Sequence, residues 1–338
     1  MVSVPPQVRL ISFVALFAFF QSASAIQQLL AFDKISEGAY RHESIPTAID
    51  VITRLGNGQI VLNTTSADVT VANDKQKWNT TVSDDDSLWE DPNYLSQFDA
   101  IAFVMTADKD DGSTTLLSPQ AKVNFAKYIQ NGGGFIGFHV ACGCLYDTPF
   151  YGRLVGAYFD YHPEIQPVGI KALTNNNPST SKFPASFQIN EEVYHYRTDP
   201  RLLPSAPIVL LSNSTVFNDP QAANRTRSDG PPPRPLAWVR SGNLLDAPST
   251  PLGQGMDDPE YGPKYSGGPG RMFYTSLGHL NETWQQIPMQ AHVAGGISWV
   301  MASPTCRSRK GDSPLKEQSS PSDVPNSAIR SRRYHSKR

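Results

Sequence analysis

Short apolar runs alternate with more polar segments along the chain and predict buried β-strands, because a strand that is covered on both faces is apolar throughout. In the first half of the chain they lie at residues 28–32, 60–62, 98–105 and 135–140. Further runs predict strands at residues 167–173, 193–197, 208–211, 236–239 and 272–277. Residues 66–96 are polar and acidic, and we interpret them as loop and short helix.

Apolar residues at helical spacing predict three helices. The first spans residues 44–56, with isoleucines on one face and a glycine at its end. The second begins at Ser118, since serine caps a helix and the proline that follows is favoured at the first helical position, and it stops at Gly132. The third covers residues 288–301. Strands that alternate with helices predict an α/β fold, with a mainly parallel sheet covered by helices on both faces.

The chain divides into three regions. A basic residue, the apolar run 10–20 and an Ala-Ser-Ala cleavage pattern predict that residues 1–25 are a secretory signal peptide. The run is too short to cross a bilayer of about 30 Å as a helix, and a membrane anchor is the alternative. Residues 26–302 form the predicted domain, with a Gly/Pro/Asp-rich insert loop at 241–270. The Ser/Pro/Arg-rich residues 303–338 are predicted to be a disordered basic tail.

Charge and glycosylation patterns bear on the class of protein. The formal net charge of −2 argues against a nucleic-acid binder. The tail from residue 303 holds nine Lys/Arg against three Asp/Glu, so it carries +6 and the remainder −8. Five Asn-x-Ser/Thr tripeptides support secretion and predict a glycoprotein, with acceptors at Asn63, Asn79, Asn213, Asn224 and Asn281.

Three cysteines are too few for a disulfide framework. Cys142 and Cys144 are too close in sequence for an easy bridge, and we interpret them as small buried residues. A bond from Cys306 to one of them is the alternative. Stability is therefore expected to come from the core.

Three consecutive motifs stand at the centre of the chain. Residues 132–139 read GGGFIGFH, residues 146–159 read YDTPFYGRLVGAYF, and a His-Pro pair follows at 162–163. Their order resembles the ThuA-like family, named for trehalose utilisation. Further segments of similar pattern occur at residues 40–46, 191–197, 235–238, 270–279 and 295–299. The resemblance covers about residues 27–302.

The resemblance implies a fold related to class I glutamine amidotransferases, which is a flavodoxin-like three-layer sandwich. It also implies a role in sugar metabolism. The Cys-His-Glu triad of the amidotransferases is not preserved, because His139 stands at the strand tip where their cysteine would be. The family therefore predicts the fold without settling the reaction.

Four acid–base side chains stand at or near predicted strand ends, in the matched motifs. Because strand ends of a parallel sheet meet at one rim, we expect them to share a cleft. The predicted catalytic residues are His42, His139, Glu192 and His279. The predicted substrate contacts are Tyr151, Asp147, Arg197, Tyr194 and His162. Bracing of the loop is the alternative role of Tyr151 and Arg197.

Imidazoles beside a carboxylate also suit a divalent ion such as Zn²⁺, whose ligands would be His42, His139 and His279. The same groups serve equally well as acid and base, or as hydrogen-bond partners of sugar hydroxyls. No two of these histidines have the i,i+4 spacing of a helical metal motif, so the sequence leaves the cofactor open.

The sequence thus predicts a secreted protein that acts on a carbohydrate or related polyhydroxy compound by hydrolysis or isomerisation. The main alternative is a non-catalytic carbohydrate-binding or cell-surface protein on the same fold, and a weaker one is a thiol hydrolase that uses Cys142. The predicted partner is a small molecule or glycan, with no nucleic acid and no membrane span once the signal is removed. The sequence predicts no oligomeric state.

Overall fold

The computed structural model describes most of the predicted domain. The described residues are 26–60, 62, 77–185, 187–203, 206–213, 217–225, 229–246 and 266–303. The predicted signal peptide, nearly all of the predicted tail, the middle of the insert loop and the acceptor Asn63 lie outside them. These features therefore stay predictions.

Strands and helices alternate along the described residues. The strands are β1 (Gln27–Phe32), β2 (Trp78–Ser83), β3 (Ala100–Val104), β4 (Gly134–Phe138), β5 (Phe159–Tyr161), β6 (Gln166–Ala172), β7 (Phe187–Glu191), β8 (His195–Tyr196), β9 (Ile208–Ser212), β10 (Pro235–Ser241) and β11 (Arg271–Thr275). The α-helices are α1 (Ile45–Gly56), α2 (Pro119–Gln130), α3 (Pro149–Val155), α4 (Asn281–Gln285) and α5 (Ile287–Met301).

One nine-stranded sheet organises the molecule, in the order β2-β1-β3-β4-β11-β10-β9-β6-β7. Its first five strands are mutually parallel. The other four continue the sheet in antiparallel pairing. The short strands β5 and β8 form a separate antiparallel pair.

Helices cover both faces of this sheet. Along β3, Phe103 faces α2 and α3, where its ring lies 5.7 Å from that of Phe125 and 5.6 Å from that of Tyr151. Its neighbour Ala102 belongs to the opposite core, with residues of α1 and α5. This alternation is what a pleated strand requires when both faces are buried. The predicted flavodoxin-like three-layer α/β sandwich is therefore confirmed.

The second strand lies elsewhere than predicted. Ile60 and Leu62 are not in a strand, and the edge position is taken by β2. Most side chains of β2 are partly or fully exposed, with only Trp78 buried, so this strand has no apolar run. Its threonines and valine favour strand structure through branching at Cβ. The polar edge strand β7 was missed for the same reason, and predicted residues 193–197 form only the two-residue β8.

The fold makes one pH prediction through His292, a fully buried residue of α5. Its Nδ1 lies 2.8 Å from the carbonyl oxygen of Ser179, and burial lowers its pKa from 6.5 to about 4. Between pH 6.5 and 4, His292 is protonated in the unfolded chain but stays neutral in the folded protein. Stability should therefore fall between pH 6.5 and 4, with up to about 3 kcal/mol lost through this residue.

The measurement is urea unfolding of wild type and His292→Gln at pH 7 and pH 4.5. The variant removes the titrating group and should lose less stability on acidification. Equal losses in both proteins would contradict the prediction.

Candidate functional site

The four predicted catalytic side chains lie at one rim of the sheet. His42 follows β1, His139 follows β4 and His279 follows β11, and these three strands are parallel. Glu192 follows β7, which is separated from β11 by four antiparallel pairings and therefore runs in the same direction. The carboxyl ends of all four strands thus deliver their side chains to the same edge.

His139 is the centre of the cluster, fully buried and held in a left-handed conformation with φ 54°. Its Nδ1 lies 2.6 Å from the carbonyl oxygen of Ser276. A carbonyl only accepts hydrogen bonds, so Nδ1 carries the proton and the neutral ring presents a lone pair at Nε2. The backbone of β11 thereby fixes the tautomer of a residue on β4.

Several polar atoms converge on His139 Nε2. The Tyr194 hydroxyl lies 2.8 Å away and His42 Nε2 3.1 Å away. His279 Nδ1 lies at 3.3 Å and Glu192 Oε2 at 3.4 Å. One lone pair on an imidazole nitrogen accepts one good hydrogen bond, so the hydroxyl and the two imidazole nitrogens compete for it, while the Glu192 carboxylate oxygen faces it as a second acceptor.

Glu192 links the buried cluster to the open cavity. Its Oε1 lies 3.0 Å from His279 Nδ1 and 3.2 Å from His162 Nε2. The carboxylate is 3% exposed, whereas the His162 side chain is 35% exposed. The cavity above has a volume of about 480 Å³. It is lined by His42, Glu192, Tyr194, His279 and His162, with Tyr40, Phe159, Lys109 and Asp110 among the other lining residues.

Burial decides the charge of the inner imidazoles. Burial and the neighbouring His279 lower the pKa of His42 to about 3. Burial and the nearby His42 hold the pKa of His139 well below its usual value. Burial also lowers the pKa of His279, but its hydrogen bond to Glu192 and the charge of that carboxylate outweigh this, so its pKa is raised. At neutral pH His42 and His139 are therefore neutral.

Glu191 is a buried carboxylate next to the cluster that the sequence did not single out as a site residue. Its fully buried carboxylate accepts hydrogen bonds from the backbone N–H groups of Gly278 (2.9 Å) and His279 (3.2 Å) and from the Thr283 hydroxyl (2.9 Å). Burial raises its pKa to about 7, while these donors favour its charged form. The side chain ties the His279 loop to the end of β7. The sequence signal was the Glu-Glu pair itself, because two adjacent residues at a strand end point to opposite sides.

The predicted substrate contacts separate into two groups. Tyr194 and His162 line the cavity. Tyr151 lies in the core and donates a hydrogen bond to the Ala141 carbonyl, so it braces the turn after β4. The Arg197 guanidinium lies 3.9 Å above the Tyr146 ring, and its Nε donates to the Phe159 carbonyl.

Asp147 is placed outside the cavity, where its carboxylate pairs with Lys122 at 2.8 Å. The structure therefore places Tyr151, Arg197 and Asp147 as supports of the loops around the site. None of the three lines the cavity wall.

Cys142 is poorly placed to act as a nucleophile. Both Cys142 and Cys144 are free and fully buried. Burial raises the pKa of the Cys142 thiol to about 12, and its Sγ lies 2.9 Å from the Tyr274 hydroxyl. Only the thiolate is a strong nucleophile, so this geometry disfavours the thiol-hydrolase alternative.

Similarity to known proteins identifies the family. The sequence model of the ThuA family, described as trehalose utilisation, matches residues 29–300. The chain belongs to this family. The predicted resemblance, made from the motifs around His139, is thus confirmed. A comparison with curated proteins found no match.

Solved structures of ThuA-like proteins are similar to this one. A ThuA-like protein from Bacteroides uniformis is 17% identical, with 86% of this chain and 95% of that one covered and a TM-score of 0.53. A ThuA-like protein from Parabacteroides merdae is 14% identical, with 82% and 90% covered and a TM-score of 0.49. The likeness to the first shows that the fold is shared. Within the described residues, no helix has the length and apolar character to span a membrane.

Proposed function

We propose that this protein is an enzyme that binds a carbohydrate or related polyhydroxy compound in the cavity and transfers protons on it, in a hydrolysis or an isomerisation. The observation that carries the proposal is that His42, His279 and Glu192 line one open cavity and converge on the buried His139 behind them. Such a set of imidazoles and a carboxylate is the usual equipment of acid–base catalysis.

The walls of the cavity support a sugar-sized ligand. A volume of about 480 Å³ lies within the range of small-molecule pockets. The ring of Tyr40, which is 63% exposed, offers a face on which the C–H side of a sugar ring packs, and the buried Phe159 and Tyr194 also line the wall. Lys109 and Asp110 add polar groups that bind hydroxyls. The family's description, trehalose utilisation, favours a carbohydrate over other polar ligands.

The experiment is a screen of mono- and disaccharides, their oxidised derivatives and sugar alcohols. Binding is measured by calorimetry, and products by chromatography and NMR after prolonged incubation. We expect at least one compound to be converted by wild type, and by Glu192→Gln at a rate at least about 100-fold lower. Saturable binding without any product would overturn catalysis and favour the carbohydrate-binding alternative.

We also propose that the protein is secreted and glycosylated. Support comes from the predicted signal peptide and from the exposure of Asn79, Asn213 and Asn224 in the structure. Asn281 is half-buried, and Thr283 of the same tripeptide is engaged with Glu191.

Expression in a eukaryotic secretory host tests both proposals. The protein should appear in the medium with an N-terminus near residue 26, and its mass should fall after treatment with an N-glycosidase. Retention in the cell with residues 1–25 intact would contradict secretion.

A further inference from the structure

We propose that His42, His139 and His279 bind one divalent transition-metal ion of the zinc class, with the open coordination position facing the cavity. The inference deepens the proposed function and rests on it only for the role of the ion. Among the described residues, this is the one place where at least three potential His, Cys, Asp or Glu ligand atoms gather, and these three atoms lie within 4.8 Å of one another.

Two of the three distances between the ligand atoms match those of a tetrahedral zinc site. His139 Nε2 lies 3.1 Å from His42 Nε2 and 3.3 Å from His279 Nδ1. Zn–N bonds of about 2.0–2.1 Å place neighbouring tetrahedral ligand atoms about 3.3–3.4 Å apart. All three ligand atoms lie within 4.8 Å of one another, so the remaining pair, His42 and His279, would have to approach by no more than about 1.5 Å to reach the same spacing.

Hydrogen bonds alone cannot satisfy all the polar atoms of this cluster. The single lone pair of His139 Nε2 faces a hydroxyl, two imidazole nitrogens and a carboxylate oxygen within 3.4 Å. A cation at the centre would instead use one lone pair from each imidazole. His42 Nδ1 is buried and has no hydrogen-bond partner among the described residues, so nothing fixes the tautomer that would keep a proton on its Nε2.

The surroundings also fit a metal ligand. A ligating histidine usually donates its second N–H to a carbonyl or carboxylate, and His139 has this arrangement with Ser276. Three nitrogen ligands select zinc-like ions over Mg²⁺ and Ca²⁺, which prefer oxygen. His42, His279 and Glu192 all line the cavity, so the fourth position opens toward a substrate oxygen or water, with Glu192 beside it.

The test is the binding of Zn²⁺ and Co²⁺ to the full chain after dialysis against a chelator. Calorimetry should give about one Zn²⁺ per chain, and Co²⁺ should develop the visible absorption of four- or five-coordinate cobalt. Zn²⁺ should also raise the unfolding temperature. Binding should weaken at least about 100-fold in His139→Asn and in His279→Asn.

His162→Asn is the matched control. His162 belongs to the same cavity, but its imidazole contacts Glu192 and is not one of the three proposed ligands. It should bind Zn²⁺ as wild type does. The half-buried His279 keeps the test informative if His139→Asn fails to fold.

Absence of binding in wild type, or undiminished binding in folded His279→Asn, would overturn the metal site. If chelator-treated, ion-free protein still converts the sugar, the metal ion is not needed for the reaction, and the proposed function stands without it. If the protein binds the ion but converts no sugar, the metal site stands and the proposed function fails.

Discussion

Replacement of His139 by asparagine is expected to reduce turnover at least about 1000-fold, while the free energy of unfolding falls by no more than about 1–2 kcal/mol. The variant removes Nε2, the atom on which the cluster converges. Asparagine tolerates the left-handed backbone at this position, and its amide retains an N–H for the Ser276 carbonyl. The measurements are steady-state kinetics on the compound identified by the screen, and urea unfolding.

Cys142→Ala is the control, because it alters the same turn without touching the cavity. It should retain most of the turnover, since a thiol with a pKa near 12 supplies no nucleophile. Retention of activity in His139→Asn would remove this residue from the mechanism. Loss of activity in the cysteine variant alone would restore the thiol interpretation.

The adjacent glutamates are expected to fail in different ways when each is replaced by glutamine. Glu191→Gln should cost on the order of 2–4 kcal/mol of stability, because its amide N–H₂ would face donors that now share a carboxylate. Glu192→Gln should leave stability within about 1 kcal/mol and reduce turnover at least about 100-fold. Unfolding and kinetics on both variants give the comparison.

If Glu191 positions the His279 loop, its replacement should have a second measurable effect, on turnover. Its loss frees the His279 loop, so the folded variant should also lose turnover, whereas a merely structural residue would not affect kcat in the folded fraction. Similar stability of the two variants, or unchanged kcat in Glu191→Gln, would contradict the assignment.

Much of the fold was readable from apolar runs because the central strands β3, β4 and β11 are buried on both faces. The edge strands were not, since β2 and β7 present polar side chains to solvent. Trp78 is the one buried side chain of β2 and anchors it beside β1. A single aromatic residue in a polar segment gives no periodic signal. Central strands could therefore be predicted from the sequence, and edge strands could not.

The direction of the strands allowed the location of the site to be predicted, but not its geometry. His42, His139 and His279 follow parallel strands, and that alone predicts a shared rim. Their distances were not predictable, because they depend on the left-handed turn at His139 and on the Ser276 carbonyl. The division of labour between Glu191 and Glu192 depends on which side of the strand end each carboxylate faces, and sequence does not give this for a residue beyond the last pairing.

The proposed function requires that groups from separate strand ends work as one catalytic unit on a carbohydrate. A double-mutant cycle of His139→Asn and Glu192→Gln, measured as kcat/KM, tests it most directly. The double variant should be about as impaired as the worse single variant, because either change disables the same unit. Losses that multiply, as they do for independent sites, would contradict it.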